Sequence, residues 1–177
     1  AYKGTRKCMA EELRSQMPII KELLEAMGIK QYGLEGFEAD DLLGTLSKKA
    51  EEAGYETVVV SGDRDLLQLA SDTLKIRIPK TKGGKTETED NFAADVVEKY
   101  GVTPTEFIEV KALMGDASDN IPGVPSIGEK TAVKIIQEYK TVENAIAHAQ
   151  DVKPPRASKN LIEFTEQARM SRFLVEI

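Results

Sequence analysis

Three short stretches of the 177-residue chain set acidic side chains beside apolar ones. They are Glu38, Asp40 and Asp41 in Gly-Phe-Glu-Ala-Asp-Asp-Leu, Asp63 and Asp65 in Ser-Gly-Asp-Arg-Asp-Leu, and Asp116 and Asp119 in Met-Gly-Asp-Ala-Ser-Asp-Asn. Singly, each has a structural explanation: acids in a first helical turn gain about 0.3–1 kcal/mol from the helix dipole, and aspartate-rich turns are common. Asp63 and Asp65 resist it most. They follow Thr57-Val58-Val59-Val60, a continuous β-branched run expected to form a strand covered on both faces, and open α/β sheets hold ligands beyond the C-terminal ends of their strands. Asp116 and Asp119, three residues apart, can point one way from a helical turn. Gathered at one sheet edge, such carboxylates repel one another unless cations sit among them. An all-oxygen ligand set selects Mg²⁺ or Mn²⁺. Two such ions about 4 Å apart clamp the attacking and leaving oxygens of a phosphodiester, so the chemistry these residues suit is phosphodiester hydrolysis.

A second motif handles phosphate without chemistry. Gly123-Val124-Pro125-Ser126-Ile127-Gly128-Glu129-Lys130-Thr131-Ala132 is a Pro/Gly turn feeding an amphipathic helix, and its pattern resembles a helix-hairpin-helix. Unpaired N–H groups at a helix N-terminus face a phosphate, with Lys130 and Lys134 adding charge. Such a grip reads the backbone and not the bases. A plain inter-helix turn is the alternative.

The elements that must position these groups are legible in outline. Leu13, Met17, Ile20, Leu23, Leu24 and Met27 recur at helical spacing up to Gly28, with Pro18 placed to kink or split the helix. A second helix runs from Phe37 to Gly54. After the Thr57–Val60 strand, Lys75-Ile76-Arg77-Ile78 alternates as a further strand, and Gly83-Gly84 turns it into Lys85–Thr88 as a hairpin. Helices follow at 93–100, ended by Gly101, at 104–114, opened by Thr103-Pro104 with Glu106 as capping partner, and at 129–139, burying Ala132, Ile135, Ile136 and Tyr139. The order implies an α/β fold with a small, mostly parallel sheet and a helical second half.

Composition removes other chemistries. Cys8 is the single cysteine and His148 the single histidine, so a disulfide framework and a zinc site built on thiolates or several imidazoles are excluded. No apolar run approaches the ~20 residues of a membrane span, and the expected setting is cytoplasmic. With 24 Lys+Arg against 30 Asp+Glu and a net charge of -6, attachment to nucleic acid has to come from local patches.

Taken together, Gly36–Asp41, Val60–Leu69 and Met114–Val124 resemble the 5′ nuclease domain of bacterial DNA polymerase I, in the flap endonuclease superfamily, over essentially the whole chain. The resemblance implies a 5′-3′ exonuclease and 5′ flap endonuclease acting on flaps and nicked or gapped duplexes in replication and repair, covalently continuous with a polymerase region. It implies two divalent-metal sites to which Glu38, Asp40, Asp41, Asp63, Asp65, Asp116 and Asp119 contribute. It also implies a helix-three-turn-helix element binding duplex DNA through Gly123 to Gly128, Lys130, Thr131 and Lys134, with a K⁺ ion on backbone carbonyls. Tyr2, Lys3 and Arg6 match the segment at the family's helical arch, Tyr2 toward DNA and Lys3 and Arg6 toward the scissile phosphate. Residues 1–90 then form a partial nuclease core and 91–177 a helical DNA-binding region, within one domain.

Two departures accompany the match. Ser126 stands where the family usually has glycine, an exchange compatible with the hairpin if φ stays negative. The family's opening strand and two of its metal-binding aspartates correspond to positions upstream of Ala1, so the chain is expected to be a fragment with at most residual cleavage. That leaves a non-catalytic duplex-DNA-binding module as the competing reading, and a ribonuclease on the same acidic core as a third. Comparing flap DNA with RNA as substrate separates these.

Overall fold

The computed structural model describes residues 9–177, and all structural statements below concern those residues. The helical spacing of the first stretch is realised as two helices, α1 (Glu11–Arg14) and α2 (Met17–Ala26), parted at Ser15 and Gln16. Pro18 lies in the first turn of α2, where its missing N–H would have had no partner. Gly28, at φ +71°, ends the helix with its N–H donating to Glu25. The apolar residues Leu13, Met17, Ile20, Leu23 and Met27 are exposed, so the periodicity is present without a covering partner among the described residues.

Helix α3 (Ala39–Glu52) starts two residues later than the apolar pattern suggests. The reason is local: the Glu38 N–H donates to Asp41 Oδ2 at 2.8 Å, which fixes Glu38 as the cap. Strand β1 (Thr57–Val60) pairs in parallel with β2 (Leu74–Lys82), Thr57 opposite Leu74, and β2 pairs antiparallel with β3 (Lys85–Asn91), Ile76 opposite Asn91. The sheet is therefore mixed, correcting the mostly parallel expectation. A two-residue turn at Gly83-Gly84 can only return the chain antiparallel, and the crossover through the 3-10 segment Arg64–Leu69 supplies the one parallel pairing. A second correction concerns β1. Val59 is buried, but Val58 and Val60, which point to the opposite face, are exposed, so the described residues bury one face of β1 and not both.

The helical half follows its capping signals. Helix α4 (Ala93–Tyr100) ends on left-handed Gly101, and α5 (Pro104–Met114) opens with Thr103 Oγ1 accepting from the Glu106 N–H at 3.2 Å. Helix α6 (Glu129–Tyr139) buries Ala132, Ile135, Ile136 and Tyr139, and α7 (Val142–Ala147), α8 (Pro155–Glu163) and α9 (Thr165–Val175) complete the chain. No helix among the described residues is long and apolar enough to cross a membrane.

Helix α5 is the hub, packed against α9, α6 and the 3-10 segment. One core runs from Val59, Leu66, Leu67 and Ile76 through Leu113 to Ile136, Leu161 and Val175. Fully buried leucines and isoleucines contribute about 1.5–3 kcal/mol apiece. Glu109, buried in α5, is compensated: its carboxylate accepts from the Val142 N–H at 2.8 Å and from Arg172 Nε at 2.5 Å.

Candidate metal and nucleic-acid site

Acids from all three stretches come to one place. An open cleft of about 280 Å³ is lined by Glu38, Asp40, Asp41, Asp65 and Asp119 together with residues 173–177 of the chain. The turn after β1 delivers Asp65. Asp63 caps the 3-10 segment, accepting from the Asp65 N–H at 3.0 Å, while its own N–H donates to Ser61 Oγ at 3.1 Å. This carboxylate serves the turn and is not on the cleft lining, although its charge reaches Asp65.

Asp116 sits in a tight loop closed by a two-way bridge, its N–H donating to the Ile121 carbonyl at 2.9 Å and its carbonyl accepting from Ile121 at 2.8 Å. Asp116 Oδ1 accepts from the Ser118 N–H at 2.7 Å, and Asp116 Oδ2 accepts from Lys111 Nζ at 2.5 Å. Lys111 also reaches Asp65 Oδ1, at 2.8 Å, so one ammonium joins the second and third acid clusters. All three side chains are largely buried, at 13% exposure for Lys111, 18% for Asp65 and 16% for Asp116.

The three groups respond differently to that burial. Burial pushes the Asp65 carboxyl up, and the pull of Lys111 does not reverse it because Asp63 and Asp116 repel its charge. Burial also disfavours charge on Asp116, but Lys111 and Ser118 outweigh it and bring that carboxyl from 3.8 down to about 2. For Lys111 the desolvation is overcome by Asp116 and Asp65, and its ammonium is held above the ordinary range. Because Asp116 titrates lower folded than unfolded, the stability it supplies is complete above its unfolded pKa of about 4 and fades as pH falls through 2. We expect Asp116→Asn to melt below the unchanged chain in chelator at neutral pH, by about 2 kcal/mol in unfolding free energy, and the two curves to converge near pH 2. A gap that stays constant from neutral pH to 2 would show that the pair does not supply it.

The donors are carboxylate oxygens, which fits a hard divalent cation by chemistry. Among the described residues no three acidic, histidine or cysteine side chains stand together closely enough to hold an ion as they are. With Lys111 between Asp65 and Asp116, closing a coordination shell requires those side chains to turn.

Residues remote in sequence complete the cleft wall. Gln68 Nε2 donates to the Asp65 carbonyl at 2.9 Å and to the Val175 carbonyl at 3.0 Å, and its Oε1 accepts from the Ile177 N–H at 2.9 Å. Arg172 pairs with Glu109 and Glu176, and Glu176 lines the cleft. Neither Lys111 nor the 173–177 segment is evident from the acidic motifs. The available signal was Lys111 itself, a cation within a helix whose Phe107, Ile108, Val110, Ala112 and Leu113 are all buried.

The Pro/Gly turn divides into an anchored side and an exposed side. Gly123, Val124 and Ile127 are buried, so of the residues expected to face DNA these three anchor the loop instead. The Gly123 N–H donates to Ser171 Oγ at 3.1 Å, and Gln167 and Asn160 donate to the Gly123 and Pro125 carbonyls at 2.7 and 2.6 Å. Pro125, Ser126, Gly128, Lys130 and Lys134 are exposed and Thr131 half-buried. Ser126 has φ +66°, so the negative φ under which a serine would fit the hairpin without strain is not what this position adopts. Left-handed backbone costs a residue with a Cβ about 1–2 kcal/mol, and Ser126→Gly is expected to raise the unfolding free energy by about 1 kcal/mol, read from a thermal melt. An unchanged or lower midpoint would mean that the hydroxymethyl makes a compensating contact. Tyr2, Lys3 and Arg6 lie outside the described residues.

The chain is similar to known proteins in sequence and in fold. DNA polymerase I of Bacillus subtilis (strain 168) is 48% identical over 176 residues, covering 99% of this chain and 20% of its own length. The chain thus spans about a fifth of the length of the curated relatives it matches. The structure superposes on T5 D15 protein co-crystallised with metal ions with a TM-score of 0.78 at 26% identity, covering 98% of this chain and 66% of that one. A T5 D15 flap endonuclease variant in a pseudo-enzyme-product complex with DNA and metal ions gives a TM-score of 0.76, also at 26% identity and the same coverage. Residues 1–101 match the N-terminal resolvase-like domain of 5′-3′ exonucleases and residues 102–177 their C-terminal SAM fold. With acids of three segments on one cleft and both halves matched end to end, the chain belongs to the 5′-3′ exonuclease family of nucleases.

Proposed function

We propose that the chain is a divalent-metal-dependent 5′-3′ exonuclease and 5′ flap endonuclease, the nuclease part of a longer cytoplasmic polymerase acting in DNA replication and repair. The observation that carries this reading is the cleft wall: Glu38, Asp40, Asp41, Asp65 and Asp119 reach it from segments up to 81 positions apart. Two Mg²⁺ or Mn²⁺ ions, when bound, would supply an activated water and stabilise the leaving oxygen of the phosphodiester. The residues that would hold them are Glu38, Asp40, Asp41, Asp65, Asp116 and Asp119, with Asp63 shaping the turn that aims Asp65. Lys3 and Arg6 are proposed to meet the scissile phosphate and Tyr2 the DNA nearby.

Residues 1–90 carry most of the acids and 91–177 the duplex-binding hairpin, and the shared core supports treating them as one folding unit. In the hairpin, the exposed Pro125, Ser126, Gly128, Lys130 and Lys134 and the half-buried Thr131 would meet the phosphates of a flapped, nicked or gapped duplex, with Gly123, Val124 and Ile127 holding the loop from beneath. The carbonyls of Gly123, Val124 and Pro125 each already accept a hydrogen bond, so a K⁺ ion at the hairpin would use their second lone pairs. Lys130→Ala is expected to weaken binding to all duplexes of one shape about equally and to lower the salt slope by about 1, measured by fluorescence anisotropy across a salt series. Sequence-dependent losses would count against a backbone-reading hairpin. The reading as a whole is tested by cleavage of a 5′-labelled flap with Mg²⁺ or Mn²⁺, in this chain and in its full-length polymerase. Flap cleavage unaffected by chelator would refute it.

A further inference from the structure

We propose that Lys111 is an internal counter-cation of the acidic cluster, a positioning residue that holds Asp65 and Asp116 and competes with a divalent ion for their oxygens. The inference rests on the metal-dependent reading above. Lys111 projects from α5, between the buried Val110 and Ala112, and its side chain is only 13% exposed. A lysine stem can carry its charge to solvent from such a position, yet this ammonium lies 2.8 Å from Asp65 Oδ1 and 2.5 Å from Asp116 Oδ2. It thereby ties the turn after β1 to the loop after α5.

The pairing also sorts the acids. Asp65 lines the cleft, whereas Asp116 is turned to Lys111 and is not on the lining. Its other oxygen is engaged by Ser118, so Asp116 is withheld from the cleft by contacts on both sides. One positive charge against two carboxylates leaves the group net negative, which still attracts a doubly charged ion. That ion must take oxygens from an ammonium already in hydrogen-bonding contact with them. Lysine suits this use, because its ammonium is a compact charge on a flexible stem with rotatable donors and can move aside.

The test compares the unchanged chain with Lys111→Met, which keeps most of the stem and removes the charge, in two measurements. Mn²⁺ titration calorimetry reads affinity for the ion, and thermal unfolding in chelator reads the acids left without their counter-cation. The expected result is Mn²⁺ binding on the order of tenfold tighter in Lys111→Met, as removal of a competing charge in a partly buried site implies. A lower melting temperature in chelator, recovered when Mn²⁺ is added, should accompany it. A lysine that merely packs would lower the melting temperature and leave Mn²⁺ affinity unchanged or weaker, and that outcome overturns the proposal while leaving the metal site in place. Absence of Mn²⁺ binding in both proteins overturns the proposal and the metal-dependent reading with it. If Lys111→Met does not fold in chelator, Lys111→Met/Asp116→Asn compared with Asp116→Asn alone carries the same contrast, with one buried acid removed from both. Tighter Mn²⁺ binding in the double variant is then the expected result, and equal binding refutes competition at Asp65.

Discussion

Asp65→Asn is expected to reduce 5′-flap cleavage at least about a hundredfold, since even groups behind a metal ligand typically cost 10–100-fold when removed. The same substitution should leave the chain folded. Asparagine matches aspartate in shape, and burial already disfavours the Asp65 charge, so its loss relieves desolvation and the repulsion of Asp63 and Asp116 while giving up the contact with Lys111. Lys111 keeps its second partner, Asp116. The variant should therefore melt within a few degrees of the unchanged chain in chelator and show a smaller rise on adding Mn²⁺. Cleavage within a few-fold of the unchanged protein, measured in the proposed full-length polymerase, would remove Asp65 from the proposed metal site. A collapse of melting temperature without Mn²⁺ would instead mark it as a structural acid.

The largest effect on stability is expected at Gly123. Its φ is +59°, and a Cβ there would lie 2.3 Å from the Gly115 nitrogen and 2.6 Å from the Met114 carbonyl carbon. The opposing position is equally closed: a Cβ on Gly115, at φ +75°, would meet the Ile121 oxygen at 2.6 Å. These neighbours are backbone atoms of the bridged loop, which cannot rotate away as a side chain can. Left-handed strain and overpacking together give about 2–5 kcal/mol for Gly123→Ala, a large share of the 5–15 kcal/mol typical of a domain. Chemical denaturation should show that loss. The metal response should fall as well, since this loop sets Asp116 and Asp119. A loss below about 1 kcal/mol would mean that the loop opens easily.

Local grammar made much of the helical half legible. The Thr103-Pro104 start, the Gly101 stop and the apolar spacing of α6 each satisfy backbone groups within a few residues, so sequence alone places them. The Gly83-Gly84 hairpin is readable for the same reason. Features that depend on distant packing were not. An all-β-branched strand such as Thr57–Val60 looks alike with one face covered or two, so the exposure of Val58 and Val60 is not legible in the residues themselves. The positive φ of Ser126 is imposed by a loop whose anchors, Ser171, Gln167 and Asn160, are supplied by α8 and α9. At the acidic cleft the motifs identified the carboxylates, but the lysine joining them and the wall at 173–177 follow from how α5 and α9 pack.

The Gln68 clamp has a consequence for when the cleft can exist. It spans 107 positions to Val175 and 109 to Ile177, and Arg172 crosses 63 to Glu109. Contacts this distant form late, because the loops they close must be ordered first. On a ribosome adding about 5–20 residues per second, the hairpin and the early acids emerge seconds before the residues that wall the cleft. Until those residues clear the exit tunnel, the nascent chain carries its carboxylates on an unfinished surface. Site assembly is thereby coupled to completion of the α9 segment, and a ribosome stalled before Arg172 would display a polypeptide unable to close the cleft.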